Sequence, residues 1–236
     1  MMPMKVSLNL KPCEIKTEIQ TLGELMAFIE NECLSPGEVL IRIVIDGDEL
    51  REEEEQAHQQ KSIEGLQIVE FYSARTIDLA EEGLTDATQL LPSLAEDLPV
   101  VSAELRAGNI RDGLEMFAKC IEIVSWYVSL VTAVDIIFRR ADPSFRLDPA
   151  AAKTAEDLSP EADLTAITAE EGPELRTFAS VENLRQKLMD IEQAQENNDT
   201  LLLADLIEYE VLPIISIWEQ EVPVLLAKVK REGGSA

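Results

Sequence analysis

Histidine occurs only once in this chain, as His58 within the acidic run Arg51–Gln60. That leaves no second imidazole for the Glu-x-x-His pairs of a di-iron bundle, and a histidine-dependent triad is hard to assemble around it. The three cysteines, Cys13, Cys33 and Cys120, are scattered and odd in number. No two stand at metal-ligand spacing, which argues against a disulfide framework and for a reducing compartment. None of the ten glycines falls in a GxGxxG or GxxxxGK[ST] pattern, so nucleotide binding by those loops is excluded. Aromatic residues make up 5%, and the interior must be built mainly of Leu, Ile, Val and Ala. Bases are scarce as well: 20 Lys and Arg face 46 Asp and Glu, for a net charge of -26. A field of that sign repels phosphates, so neither nucleic acid nor an anionic membrane surface is an expected partner.

The first residues, MMPMKVSLNL, lack the charged region and apolar core of a signal peptide. A cytoplasmic location is expected. One stretch, Cys120 to Phe138, has the length of a membrane span. Glu122 and Asp135 lie inside it, and a central Asp costs about 2.5–3.5 kcal/mol on insertion. A helix surrounded by other helices is equally apolar, and that is the reading adopted.

What is present is a change of period. Up to about residue 75 the apolar residues alternate in short runs, and beyond it they recur at helical spacing. Val6, Leu8 and Leu10 share one face of a first strand. Lys11-Pro12 breaks that run, and Glu14–Ile19 alternates again. Thr21 and Glu24 form the capping-box pattern ahead of Leu22, Leu25, Met26 and Ile29, which predicts a helix over Thr21–Cys33. The β-branched run Val39–Ile45 predicts a central strand, Asp46-Gly47 a hairpin turn, and Leu66–Tyr72 a last strand. The acidic run Arg51–Gln60 reads as a short exposed helix.

Beyond residue 76 four helices are expected. The first is interrupted at Pro92 or Pro99, and the second runs from about Ile110 to Arg140. The third covers about Ser180 to Glu196, and the fourth about Thr200 to Arg231, kinked or broken at Pro213 and Pro223. Between the second and third, Ala141–Thr177 holds four prolines and many acids, which predicts a mobile insertion. The fold class is therefore α+β: a small mixed β-sheet domain over 1–75, then an up-and-down helical bundle over 76–236.

The element order and the Val44–Leu50 strand–turn–strand resemble the β-grasp, or ubiquitin-like, fold. That resemblance implies protein binding or carrier roles. Leu201–Ile215 with Trp218 resembles a stretch of small bacterial helical-bundle proteins from flagellar and export gene neighbourhoods.

No catalytic residue, metal ligand or cofactor is predicted. The candidate binding residues are Asp205, Glu208, Tyr209 and Trp218. The two acids interrupt a very apolar helix, so an interhelical partner is expected for them among Arg106, Arg111 and Lys119. The leading expectation is a non-catalytic cytoplasmic protein-binding factor, adaptor or export-chaperone-like, with a homodimer as one of its forms. The alternative is a ligand-binding or enzymatic bundle that uses buried carboxylates.

Overall fold

The structure is a computed structural model that describes residues 4–15, 19–51, 54, 58–141 and 173–234, with the side chains at 139–141 and 173–179 excepted. The fold is α+β, an N-terminal mixed five-stranded sheet followed by helices. The chain divides into two compact units, Met1–Leu79 and Ala80–Ala236.

In the first unit, β1 (Lys5–Leu8) turns through Asn9 and Leu10 into the two-residue β2 (Lys11–Pro12). The sequence places a break at Lys11-Pro12 and a second strand at Glu14–Ile19. The structure instead pairs Lys11 and Pro12 with Leu8 and Ser7. The turn is made one step earlier because Asn9 and Leu10 both adopt positive φ, 49° and 66°. Asn9 is held there from a distance: its Oδ1 accepts from the Ser73 N–H at 3.0 Å, and its Nδ2 donates to Ser73 Oγ at 2.9 Å. Pro12 needs no ladder donor on this edge strand. Residues 16–18 of the expected second strand lie outside the described residues.

Helix α1 (Leu22–Phe28) opens on the predicted capping box, with both reciprocal bonds between Thr21 and Glu24 formed. It continues as a π-helical turn through Ile29–Cys33. Strands β3 (Glu38–Ile45) and β4 (Asp48–Leu50) are joined by Asp46 and Gly47, both at positive φ, as a two-residue hairpin requires. The expected acidic helix at 51–60 falls largely outside the described residues. Strand β5 (Ile68–Arg75) closes the sheet in the order β2-β1-β5-β3-β4, and β1 and β5 run parallel at its centre. The alternation of β1, β3 and β5 gives one face to Val6, Ile43, Val69 and Phe71, which pack with Leu22 and Leu25 of α1 and Ile29 of the π-helical turn. Those three helix residues are completely buried.

The second unit is an antiparallel bundle. Helix α2 (Thr76–Ala107) buries Ala80, Leu84, Ala87, Leu91, Leu94, Leu98, Val101 and Leu105, alternating steps of four and three. That is the heptad seam of a supercoiled bundle. The expected interruption at Pro92 or Pro99 does not occur, since both prolines lie inside the helix. Each interior proline costs about 3 kcal/mol, about 6 for the two, and full burial of Leu84, Leu91, Leu94, Leu98 and Leu105 at about 1.5–3 kcal/mol each outweighs it.

Gly108, at φ 86°, turns the chain into α3 (Ile110–Ala141). Its buried seam, Phe117, Cys120, Val124, Tyr127, Val131, Val134 and Phe138, repeats the same steps. A Cβ on Gly83 would stand 2.6 Å from Leu130 Cδ1, and one on Gly113 3.0 Å from the Leu105 side chain. The two helices are therefore close and antiparallel. By length and composition α3 could cross a membrane, and 33% of its most apolar stretch is buried in the bundle.

Helix α4 (Pro173–Glu196) begins about two turns before the expected Ser180 start. Residues 142–172 of the predicted mobile insertion lie outside the described residues. After Asn197 and Asn198, Asp199 caps α5 (Thr200–Leu206) by accepting from the Leu202 N–H at 3.0 Å. A π-helical turn, Ile207–Val211, leads into α6 (Leu212–Gly233). Pro213 does act on this helix, through that wider turn. The Leu212 N–H reaches back to Ile207 O, and the extra residue relieves the crowding a proline ring imposes on the preceding turn. Pro223 sits inside α6 without breaking it.

Candidate interaction site on the last helix

The site grows out of the π-helical turn. Ser102 Oγ of α2 lies 3.2 Å from the Ala204 carbonyl, which brings α2 and α5 together one turn before it. Arg106, a turn further along α2, then meets α5 and the π turn. Its Nη2 donates to Asp205 Oδ1 at 2.7 Å, its Nη1 donates to Glu208 Oε2, and its guanidinium carbon lies 5.9 Å from the Tyr209 ring centroid. Of the three bases expected as partners, Arg106 engages both acids, while Lys119 pairs with Glu115 on its own helix. The two carboxylates hold the guanidinium well above its ordinary pKa, Asp205 first and Glu208 second.

Glu210 points the other way. Its Oε2 stands 2.9 Å from Lys187 Nζ of α4. Glu208 and Glu210 are two residues apart and so project to opposite sides of the helix. The π turn is thereby tied to α2 on one flank and to α4 on the other. Tyr209 between them is 64% exposed.

Neither Asp205 nor Glu208 is deeply buried, with side chains 56% and 31% exposed. Trp218 does not join this cluster. It is completely buried, its ring 4.8 Å from that of Tyr127, and its Nε1–H donates to Ser180 Oγ at 2.6 Å. Among the described residues of this unit, the deeply buried carboxylate is Glu221, 5% exposed. Burial, and then Glu221, raise the Tyr127 phenol above its ordinary pKa.

Sequence reasoning missed Lys187, Ser180, Tyr127 and Glu221. Each is distant along the chain from its partner, and only the a/d position of Tyr127 and Ser180 could have suggested burial. Among the described residues no group of three or more His, Cys, Asp and Glu gathers to hold a metal ion.

A surface ion cluster of this kind contributes little to stability. Asp205→Asn is therefore expected to move the melting temperature by less than about 3 °C, with Arg106 still held by Glu208. Thermal denaturation followed by circular dichroism checks this. A fall of 10 °C would mean that the cluster sets helix register.

These features define an α+β protein whose helical bundle carries a charge-clamped turn on its last helix. Residues 82–221, more than half of the chain, match the family described as Domain of unknown function (DUF8042), and the chain belongs to that family. Residues 4–74 match the TP0873 N-terminal domain. No curated protein and no solved structure matches the chain.

Proposed function

We propose that this protein is a non-catalytic cytoplasmic binding factor, an adaptor or export-chaperone-like protein, whose partner is another protein and neither nucleic acid nor membrane. The observation that carries this reading is the outward side of α5 and α6. Leu202, Tyr209, Pro213, Gln220, Val224 and Ala227 are all exposed and recur at steps of three, four and seven residues. Every exposed residue between Leu212 and Ala227 is uncharged, in a chain of net charge -26. An apolar helix face on a soluble bundle is the geometry that accepts a partner helix.

The first unit supports the same reading. Its order β2-β1-β5-β3-β4, with a central parallel pair and one packed helix, favours a β-grasp module, a fold that often serves protein recognition. A bundle acting through buried carboxylates would draw on Glu221 and not on Asp205 and Glu208, which are part-exposed and held by Arg106.

The test is capture by the immobilised full chain from its own soluble extract. One or two defined proteins should be enriched, and the double variant Leu202→Ser, Tyr209→Asp should lose them with little change in melting temperature. Equal capture by the variant would remove this face from the account.

A further inference from the structure

Of the two tryptophans, Trp218 is buried in the bundle and Trp126 is 36% exposed. Trp126 stands on the part of α3 from Ile123 to Val134, which contains no charged residue. Its place in the fold follows from Gly83. A Cβ there would meet Leu130, so α2 and α3 close on one another at that level. Leu90 lies two turns on from Gly83 along α2, and Trp126 one turn back from Leu130 along α3. Because the helices are antiparallel, both residues border the same seam. Leu90 is 37% exposed, and Ala133, seven residues on from Trp126, is exposed as well. An apolar groove therefore runs along the outside of the α2–α3 pair. From Gly83 to Asp97 it is about 21 Å long at 1.5 Å per residue.

The α2 border of this groove is acidic. From Ala80 to Leu105 the chain holds six acids and neither Lys nor Arg. Glu81 stands 3.8 Å from Lys230, and Glu104 Oε2 accepts from Asn109 Nδ2 at 2.6 Å. Glu82, Asp86, Glu96 and Asp97 are exposed and make no ion pair among the described residues. Asp86 follows Gly83 by three residues and Asp97 follows Leu90 by seven, which sets both on the groove side of the helix. Asp97 is close enough across the seam for its charge to raise the Cys120 thiol. On the α3 border, Lys119 is paired with Glu115, and Glu122 adds a further exposed acid.

We infer that this groove is a second interaction surface, whose occupant is a basic amphipathic helix of another protein. Its apolar seam would lie on Leu90, Trp126 and Ala133, with Lys or Arg along the acidic border of α2. Tryptophan is enriched among the residues that dominate binding at interfaces, and its ring face also attracts a guanidinium or ammonium. Charge decides between occupants. A second copy of the chain, at -26, would bring acids against acids. So would residues 142–172, which hold eight acids and two bases. An anionic bilayer surface is repelled in the same way. The groove involves neither α5 nor α6, so it stands or falls apart from the face proposed above.

The probe is a synthetic helix of about 20 residues with Leu at heptad positions a and d and Arg at e and g. Its counterpart carries Glu in place of Arg. Fluorescence anisotropy of each labelled peptide with the full chain should give a micromolar dissociation constant for the basic helix and no binding of the acidic one. Trp126→Ala and Leu90→Gln should each weaken binding by about tenfold or more with little change in melting temperature. The double variant Asp86→Asn, Asp97→Asn should weaken it and flatten its dependence on salt. Leu202→Ser, Tyr209→Asp should bind as the wild type does.

No binding of the basic helix, equal binding of the acidic one, or equal binding by Trp126→Ala and Leu90→Gln overturns the inference, the last by showing attraction through net charge alone. If the Leu202→Ser, Tyr209→Asp chain loses the peptide while Trp126→Ala retains it, the partner sits on α5 and α6. That reading then survives and this one does not. A chain that sediments as a dimer until Trp126 is replaced would give the groove to a second copy. Binding to zwitterionic vesicles in place of the peptide, lost in Trp126→Ala, would give it to a bilayer. Either result overturns the inference as well.

Discussion

Trp218→Ala should lower the melting temperature of the helical unit by about 10 °C, the largest effect expected of a single side chain here. Removing a fully buried tryptophan costs about 3–5 kcal/mol, and each kcal/mol is worth about 2–4 °C in a unit of this size. Three losses combine at this position. The cavity opens where Trp218 is completely buried, the tilted ring contact with Tyr127 at 4.8 Å disappears, and the Ser180 hydroxyl loses its 2.6 Å donor. Trp218→Phe retains most of the volume and should cost about half as much, with the indole hydrogen bond to Ser180 lost. Differential scanning calorimetry of the two variants measures the split. A Trp218→Ala chain melting within 2–3 °C of wild type would show that the tryptophan does not organise the bundle interior.

The second large effect is expected in alkaline solution. Burial, with Asp97 across the α2–α3 seam as the lesser cause, pushes the Cys120 thiol up to about 11 from its ordinary value of 9.0. A folded-state pKa above the unfolded one gives stability that is complete below pH 9 and is lost as the pH rises towards 11. Over that window the unfolded thiol ionises and the folded one does not. Two units correspond to about 3 kcal/mol.

Urea denaturation at intervals from pH 8 to 11 should therefore show a steeper fall for the wild type than for Cys120→Ala. Parallel curves would contradict the burial of the thiol. The same burial predicts that a thiol reagent at pH 8 modifies the half-buried Cys13 and Cys33 first, and Cys120 only after unfolding.

Much of the fold was legible in the sequence wherever the signal is local. Thr21 and Glu24 announced the start of α1 because a capping box is satisfied within four residues. Asp46-Gly47 announced the β3–β4 hairpin because only left-handed conformations close a two-residue turn of that twist. The second helix carries two apolar stripes, one through Leu114, Phe117, Ile121, Val124 and Val128 and one through Met116, Cys120, Ile123, Tyr127 and Leu130, which implied neighbours on both sides. The structure places the buried seam between them, along Phe117, Cys120, Val124 and Tyr127. Propensity rules failed where packing opposed them. Pro92 and Pro99 read as breaks, yet the leucines around them hold the helix continuous.

The candidate site was legible only in part. The acids at Asp205 and Glu208 stood out against the apolar text around them, and Arg106 was one of three bases considered for them. Nothing in the sequence chose among the three, because the choice depends on the offset between α2 and α5, which the contact at Ser102 and Ala204 defines. Trp218 read as a companion of Tyr209, whereas helical phase turns it into the core against Tyr127 and Ser180. Lys187 gave no signal at all.

The sequence by itself determined the change from strand to helix near residue 75, the apolar phase of each helix, the cap of α1 and the β3–β4 turn. All of these arise from backbone geometry and burial periodicity over a few residues. Only the tertiary structure decided that β1 lies beside β5, that Asn9 is locked by Ser73 and that Arg106 spans two carboxylates. It alone decided, too, that a π turn absorbs Pro213. Each of these joins groups far apart in the chain, and their energies depend on which surfaces meet, a quantity that no short window of sequence contains.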